Sequence, residues 1–183
     1  MCVRLLAVAA AVAGITACGM KKCSALSGQG RYVSFKDRFF LKKAARAGIY
    51  EIQAARLAIA TSQDREIQAF AQVMIQEHRS LTNELKALAK AKGVGVSISA
   101  GVLQEESLEE LKQAKGAAFD ALYVKHAVKT HEETIKLFEA QVLSGSDEEV
   151  AGFALDALEL LEQHLQHAHI LQNHIQSTPA SEA

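Results

Sequence analysis

Tryptophan is absent from this 183-residue chain, proline occurs once, and aromatic residues make up only 5%. Strand sandwiches draw on aromatic and β-branched side chains and on frequent turn residues, so this composition argues against them. A single proline also lets helices run long without interruption. Lys and Arg total 20 against 21 acidic residues, a net charge of −1, and no basic block breaks the body of the chain. The electrostatic footprint of a nucleic-acid binder is therefore missing, and no nucleic-acid partner is expected. The three cysteines, Cys2, Cys18 and Cys23, all precede the body, so neither a disulfide framework nor a cysteine-based zinc pattern can be built. No Ser-His-Asp order, phosphate-cradling glycine loop or pair of catalytic carboxylates is recognisable, which leaves hydrolase and nucleotide-dependent readings unsupported. What is present is a 49% hydrophobic content dominated by Ala and Leu. This predicts an all-α chain with one domain of ordinary size.

The amino terminus, MCVRLLAVAAAVAGITACGMKK, has one Arg, then an apolar run from Leu5 to Ile15, then small residues before Cys18. The run is shorter than the ~20 residues a bilayer span needs. It has the shape of a signal peptide, and Ile15-Thr16-Ala17-Cys18 resembles a bacterial lipobox. By that resemblance residues 1–17 are removed, Cys18 carries the lipid, and the chain hangs from a membrane facing the periplasm. Gly19 after the cysteine, where Asp would retain the protein at the inner membrane, implies the outer membrane of a Gram-negative bacterium. Processing removes Arg4, leaving 19 basic against 21 acidic residues, or −2. Residues 18–33 read as a flexible tether.

Four long periodic segments follow, in a domain spanning 34–176 before a frayed 177–183 tail. Ser34-x-x-Asp37 caps a first helix to about Thr61, and Ser62 or Asp64 caps a second to about Lys92. A third runs from Gly116 to Leu143. Ser146-x-x-Glu149 caps the fourth, which reaches about Ile175. The short connections within each pair predict two antiparallel hairpins. Between the pairs lie GVGVSISAG and a short helical piece near Gln104 to Ala114. About nine extended residues travel roughly 30 Å, enough for a crossover along the bundle, although the topology stays open.

The apolar stripes of these segments are interrupted by ionisable residues. Glu51 interrupts the first, His78 the second, Asp120 and His131 the third, and His164 the fourth. Buried ionisable groups are costly unless paired or bound. With a rise of about 1.5 Å per residue, Glu51, His78 and His131 fall near mid-height of the bundle and His164 within about a turn of them. Asp120 lies about 16 Å from His131 along one helix, too far to share an ion; it is either a first-turn acid or an inward hydrogen-bonding group beside Tyr123. One carboxylate and up to three imidazoles suit one transition-metal ion, zinc, iron, manganese or copper. The alternative is a set of Glu-His pairs that only order the core. His126, His167, His169 and His174 lie off or beside the stripes and are expected to be solvated.

FLKKAARAGIYEIQAARLA, FAQVMIQEHRSLTNELKALAKAKG, FDALYVKHAVKTHEETIKLF and LELLEQHLQHAHIL resemble the four helices of the bacterial family catalogued as domain of unknown function 4142. The resemblance covers about residues 36 to 172 and rests on Glu77-His78, Phe119-Asp120-x-x-Tyr123, His131 and His164 in order. Glu77 stands where that family often has Asp, and Glu159 where Pro is common. The resemblance implies a ferritin-like bundle in an envelope protein and no established reaction. Ferritin-like di-iron proteins place Glu-x-x-His on two helices. Here Glu77 directly precedes His78 and Glu162 is two residues before His164, which argues against a di-iron oxidoreductase. Three readings remain: a metal-binding envelope protein for metal handling or stress protection, a non-catalytic interaction module, and, less favoured for want of Glu-x-x-His, the di-iron oxidoreductase. No motif names a protein partner, and homo-oligomer formation stays open.

Overall fold

The computed structural model of the chain describes residues 33–177. The expected leader, Cys18, nearly all of the tether and residues 178–183 lie outside the described residues. Among the described residues five helices follow one another: α1 (Phe35–Thr61), α2 (Arg65–Ala91), α3 (Val102–Gln113), α4 (Gly116–Ser144) and α5 (Glu148–Ser177). They form the expected all-α bundle of two antiparallel hairpins, with α3 as the short helix in the connection. Val33, the last residue of the expected tether, is buried in the core.

The helix ends follow from local chemistry. Ser34 and Asp37 form a reciprocal capping box at the start of α1. Asp64, rather than Ser62, caps α2 by accepting from the backbone N–H groups of Glu66 and Ile67. The close of α2 is a Schellman motif: Val94 N–H donates to the Ala89 carbonyl, Gly93 N–H donates to that of Lys90, and Gly93 takes a φ of 66°. The cap of α5 departs from expectation. Asp147 accepts from Glu149 and Val150 N–H, whereas the Ser146 N–H turns away to Asp37 Oδ1 at 3.1 Å. Lys92 fixes Asp147 in that position, its Nζ lying 2.8 Å from Oδ2.

Three contacts fix the direction of each helix. Gln141 near the end of α4 donates to Asp37 at the start of α1 at 2.6 Å. Lys92 at the end of α2 meets Asp147 at the start of α5. His174 near the end of α5 lies 2.8 Å from Asp64 at the start of α2. Helix α1 packs on α2 and α4, and α5 packs on α4 and α2; each of these neighbours is antiparallel. The connection between hairpins must therefore run the length of the bundle, and it does. Val94 and Val96 join the apolar cluster at one end, while Ala100, Leu108 and Leu111 join the cluster at the other. A single long crossover of this kind is the ferritin-like connectivity.

The core is two clusters and not one. The first holds α2 residues 67–74, α4 residues 119–127 and α5 residues 168–171; the second holds Leu85, Phe138 and Leu161. The interval between them contains His78, His131 and His164. On α1 the corresponding interval lies between Ala45 and Ile49, and there the chain has Gly48.

Candidate metal centre

Three helices turn one imidazole each into this interval. His78 is 3% exposed, His131 1% and His164 4%. One nitrogen from each lies within 4.8 Å of the others. The ring centroids of His78 and His164 are 5.1 Å apart, and both other pairs are at 5.5 Å. His78 Nε2 and His131 Nε2 are separated by 3.4 Å. Two nitrogens bound to one tetrahedral ion at 2.0–2.1 Å are themselves about 3.3–3.4 Å apart. The separations in the set extend to 4.8 Å, so sharing one ion would require the nitrogens to draw together by about an ångström.

The outer nitrogens show which atoms face inward. His131 Nδ1 donates to the Ala127 carbonyl at 2.7 Å, leaving Nε2 as the bare acceptor. His164 Nε2 lies 2.5 Å from Glu77 Oε2, leaving Nδ1, which is buried without a partner. A backbone carbonyl behind one histidine and a carboxyl behind another is how ligand imidazoles are held in the correct tautomer. His78 Nδ1 is likewise buried and unpartnered. Burial pushes all three imidazoles below the ordinary histidine range. His131 falls to about 4 despite the Ala127 carbonyl, and His164 falls although Glu77 opposes it. His78 falls well below its usual value, burial being reinforced by His131 and His164. At neutral pH each ring is uncharged and carries a lone pair, as metal ligation requires.

Glu51 is brought to the site but not into the triangle. Its side chain is buried, yet Oε1 stands 3.9 Å from His131 Nδ1, the nitrogen already committed to Ala127. Oε1 has no hydrogen-bond partner. Burial pushes the Glu51 carboxyl up to about 8, and a hydrogen bond with Thr130 opposes the shift. The Thr130 hydroxyl donates to the His126 carbonyl at 2.5 Å.

The remaining polar residues lie elsewhere. Tyr123 is buried and stacked on Phe119, its hydroxyl without a partner. Asp120 hydrogen-bonds Ser62 beside the α1–α2 turn, and burial raises its carboxyl above the usual range. Three of the histidines expected in solvent have partners. His126 Nδ1 is 3.1 Å from the Tyr50 hydroxyl and its Nε2 3.5 Å from Glu110, His167 meets the Phe70 ring edge-on at 4.9 Å, and His174 pairs with Asp64. Only His169 of the four is exposed. Thr130 and Thr82 were not among the expected site residues; Thr82 is buried one turn after His78, and only its polarity on a packed face could have marked it.

The family model described as Domain of unknown function (DUF4142) matches residues 23–171. No curated protein matches the chain. Among solved structures, the crystal structure of rv2844, a conserved hypothetical protein from Mycobacterium tuberculosis, superposes with a TM-score of 0.62 at 18% identity, covering 81% of this chain and 96% of that one. At that identity the likeness speaks for the fold alone.

Proposed function

The chain belongs to the DUF4142 family, and we propose that it is an envelope lipoprotein whose bundle holds one transition-metal ion on His78, His131 and His164, for metal handling or stress protection. One observation carries the metal reading: three neutral imidazoles from three helices, all buried, with ligand nitrogens within 4.8 Å. Unpartnered polar atoms in a core are costly, and two of these rings each leave one. A bound cation removes that cost for whichever lone pairs it takes. An all-nitrogen set suits zinc, copper or iron better than manganese, which favours oxygen ligands. With no carboxyl inside the triangle, a di-iron oxidase is disfavoured.

The envelope location is supported by the amino-terminal sequence, where Cys18 follows a short apolar run and small residues. The competing reading, an interaction module with a hydrogen-bonded core, draws on the same 3.4 Å contact, since His78 Nε2–H can donate to His131 Nε2. Elemental analysis of protein purified without an affinity tag from metal-supplemented cells separates the two. About one transition-metal ion per chain, lost in His78→Ala and kept in His174→Ala, supports the metal centre. Absence of metal in the parent protein, with no response to added divalent ions, overturns it and leaves the interaction module.

A further inference from the structure

Helix α1 stands against the histidine layer but contributes no ligand to it. Its residue in the interval between the two apolar clusters is Gly48, followed a turn later by Glu51. Any side chain on Gly48 would run into the Thr82 hydroxyl, so the glycine is what lets α1 and α2 approach at this level. Beside that close approach lies a cavity of about 10 Å³, lined among others by Ala47, Gly48, Glu51, Thr82, His78 and His131. His78 and His131, whose Nε2 atoms are 3.4 Å apart, both line it, and His164 is not among its lining residues. A water molecule needs roughly 10–15 Å³ measured in this way, so the space takes one water or a ligand of similar girth. Glu51, which also lines the cavity, is 3% exposed and its Oε1 has no protein partner.

We propose that this cavity is the fourth coordination position of the metal centre, a binding site for a ligand of one or two heavy atoms, with Glu51 as its hydrogen-bonding partner. The inference rests on metal binding by the three histidines. Three histidines with one position left open is the arrangement of zinc sites that admit an exogenous ligand, whereas purely structural zinc sites close all four positions with protein. A cavity narrow enough for one water selects against larger anions, and Glu51 supplies the hydrogen bond that a buried ligand needs. Glu51 thus acts on the ligand and not on the metal.

The test uses Co²⁺-loaded protein with cyanide as the two-atom probe. Visible spectra report coordination, and cobalt content is measured in the same samples. Cyanide should shift the cobalt bands of the parent protein with cobalt retained at one per chain. Ala47→Leu, which fills the cavity, should keep cobalt and weaken cyanide binding at least tenfold. Glu51→Gln should keep cobalt affinity while changing cyanide affinity. Stripping of the metal, an unshifted spectrum on loaded protein, or equal cyanide binding by Ala47→Leu each overturns the open position while leaving the metal centre standing. Failure to load cobalt at all overturns both.

Discussion

His78 and His131, 53 residues apart in sequence, face each other with their Nε2 atoms 3.4 Å apart in the middle of the bundle. The contact needs α2 and α4 to run parallel across the bundle, which the long connection through α3 achieves. It also needs at least one Nε2 to keep its lone pair, which burial favours by holding both rings below the ordinary histidine range.

If that pair is half of a metal site, ligands should stabilise the fold. An ion that binds only the native state adds about 2.7 kcal/mol at 100 times its Kd. The melting temperature should rise with added Zn²⁺. His131→Ala should remove most of the rise, and His169→Ala, at an exposed position, should leave it intact. Equal shifts in both variants would place the binding elsewhere on the surface.

Much of this arrangement is legible in the sequence. A 3.6-residue period and a fixed rise give each side chain a face and a height, which is enough to bring His78, His131 and His164 to one layer. They do not give the side of a neighbouring ring on which a group arrives. Glu51 has the right height within about a turn, yet it reaches the Nδ1 edge of His131 while Gly48 occupies the histidine layer. The burial of His126 was hidden for another reason. Tyr50 and α3 cover it, and the path of α3 depends on a crossover that periodicity does not encode. The choice of Asp147 over Ser146 as cap depends on Lys92, more than fifty residues earlier.

Gly93 tests the end of α2 in isolation. Its φ of 66° is left-handed, and a Cβ there would meet nothing within 4 Å. Gly93→Ala should therefore cost about 1 kcal/mol through backbone conformation alone, read as a lower urea midpoint with an unchanged slope. A neutral result would mean that the turn relaxes without the Schellman bonds.

Cys18 tests the location. Expressed in a Gram-negative host, the parent protein should sediment with membranes, and Cys18→Ser should appear in the soluble fraction or keep its uncleaved leader. Identical fractionation and migration of the two would end the lipoprotein reading.

Asp37 joins the start of α1 to the α4–α5 turn, accepting from Ser34, Gln141 and Ser146. Burial alone would raise its carboxyl, but these hydrogen bonds win and hold it below the usual value of 3.8. A depressed folded value means stability that is present above about pH 4 and is lost as pH falls through the folded value. Asp37→Asn should cost about 2 kcal/mol at pH 7, and the gap between variant and parent should narrow below pH 3. A gap that does not change with pH would assign the cost to geometry and not to charge.

Glu51 imposes the opposite slope. In metal-free protein its carboxyl is raised from 4.5 to about 8, so between those values the folded state holds a proton that the unfolded chain has released. Stability must then fall as pH rises, by at most about 1.4 kcal/mol per unit. The three histidines act in reverse: with folded values below 6.5, they add stability as pH rises and level off once the unfolded chain is also neutral. The window from about pH 7.5 to 8.5, where the unfolded histidines are almost fully neutral, therefore isolates Glu51. With chelator present, the urea midpoint of the parent should drop across this window, while that of Glu51→Gln, which keeps the shape without the titration, should stay nearly level. Parallel declines in the two proteins would show that Glu51 is already ionised in the core, and that its unpaired oxygen meets a cation or water there instead of holding a proton.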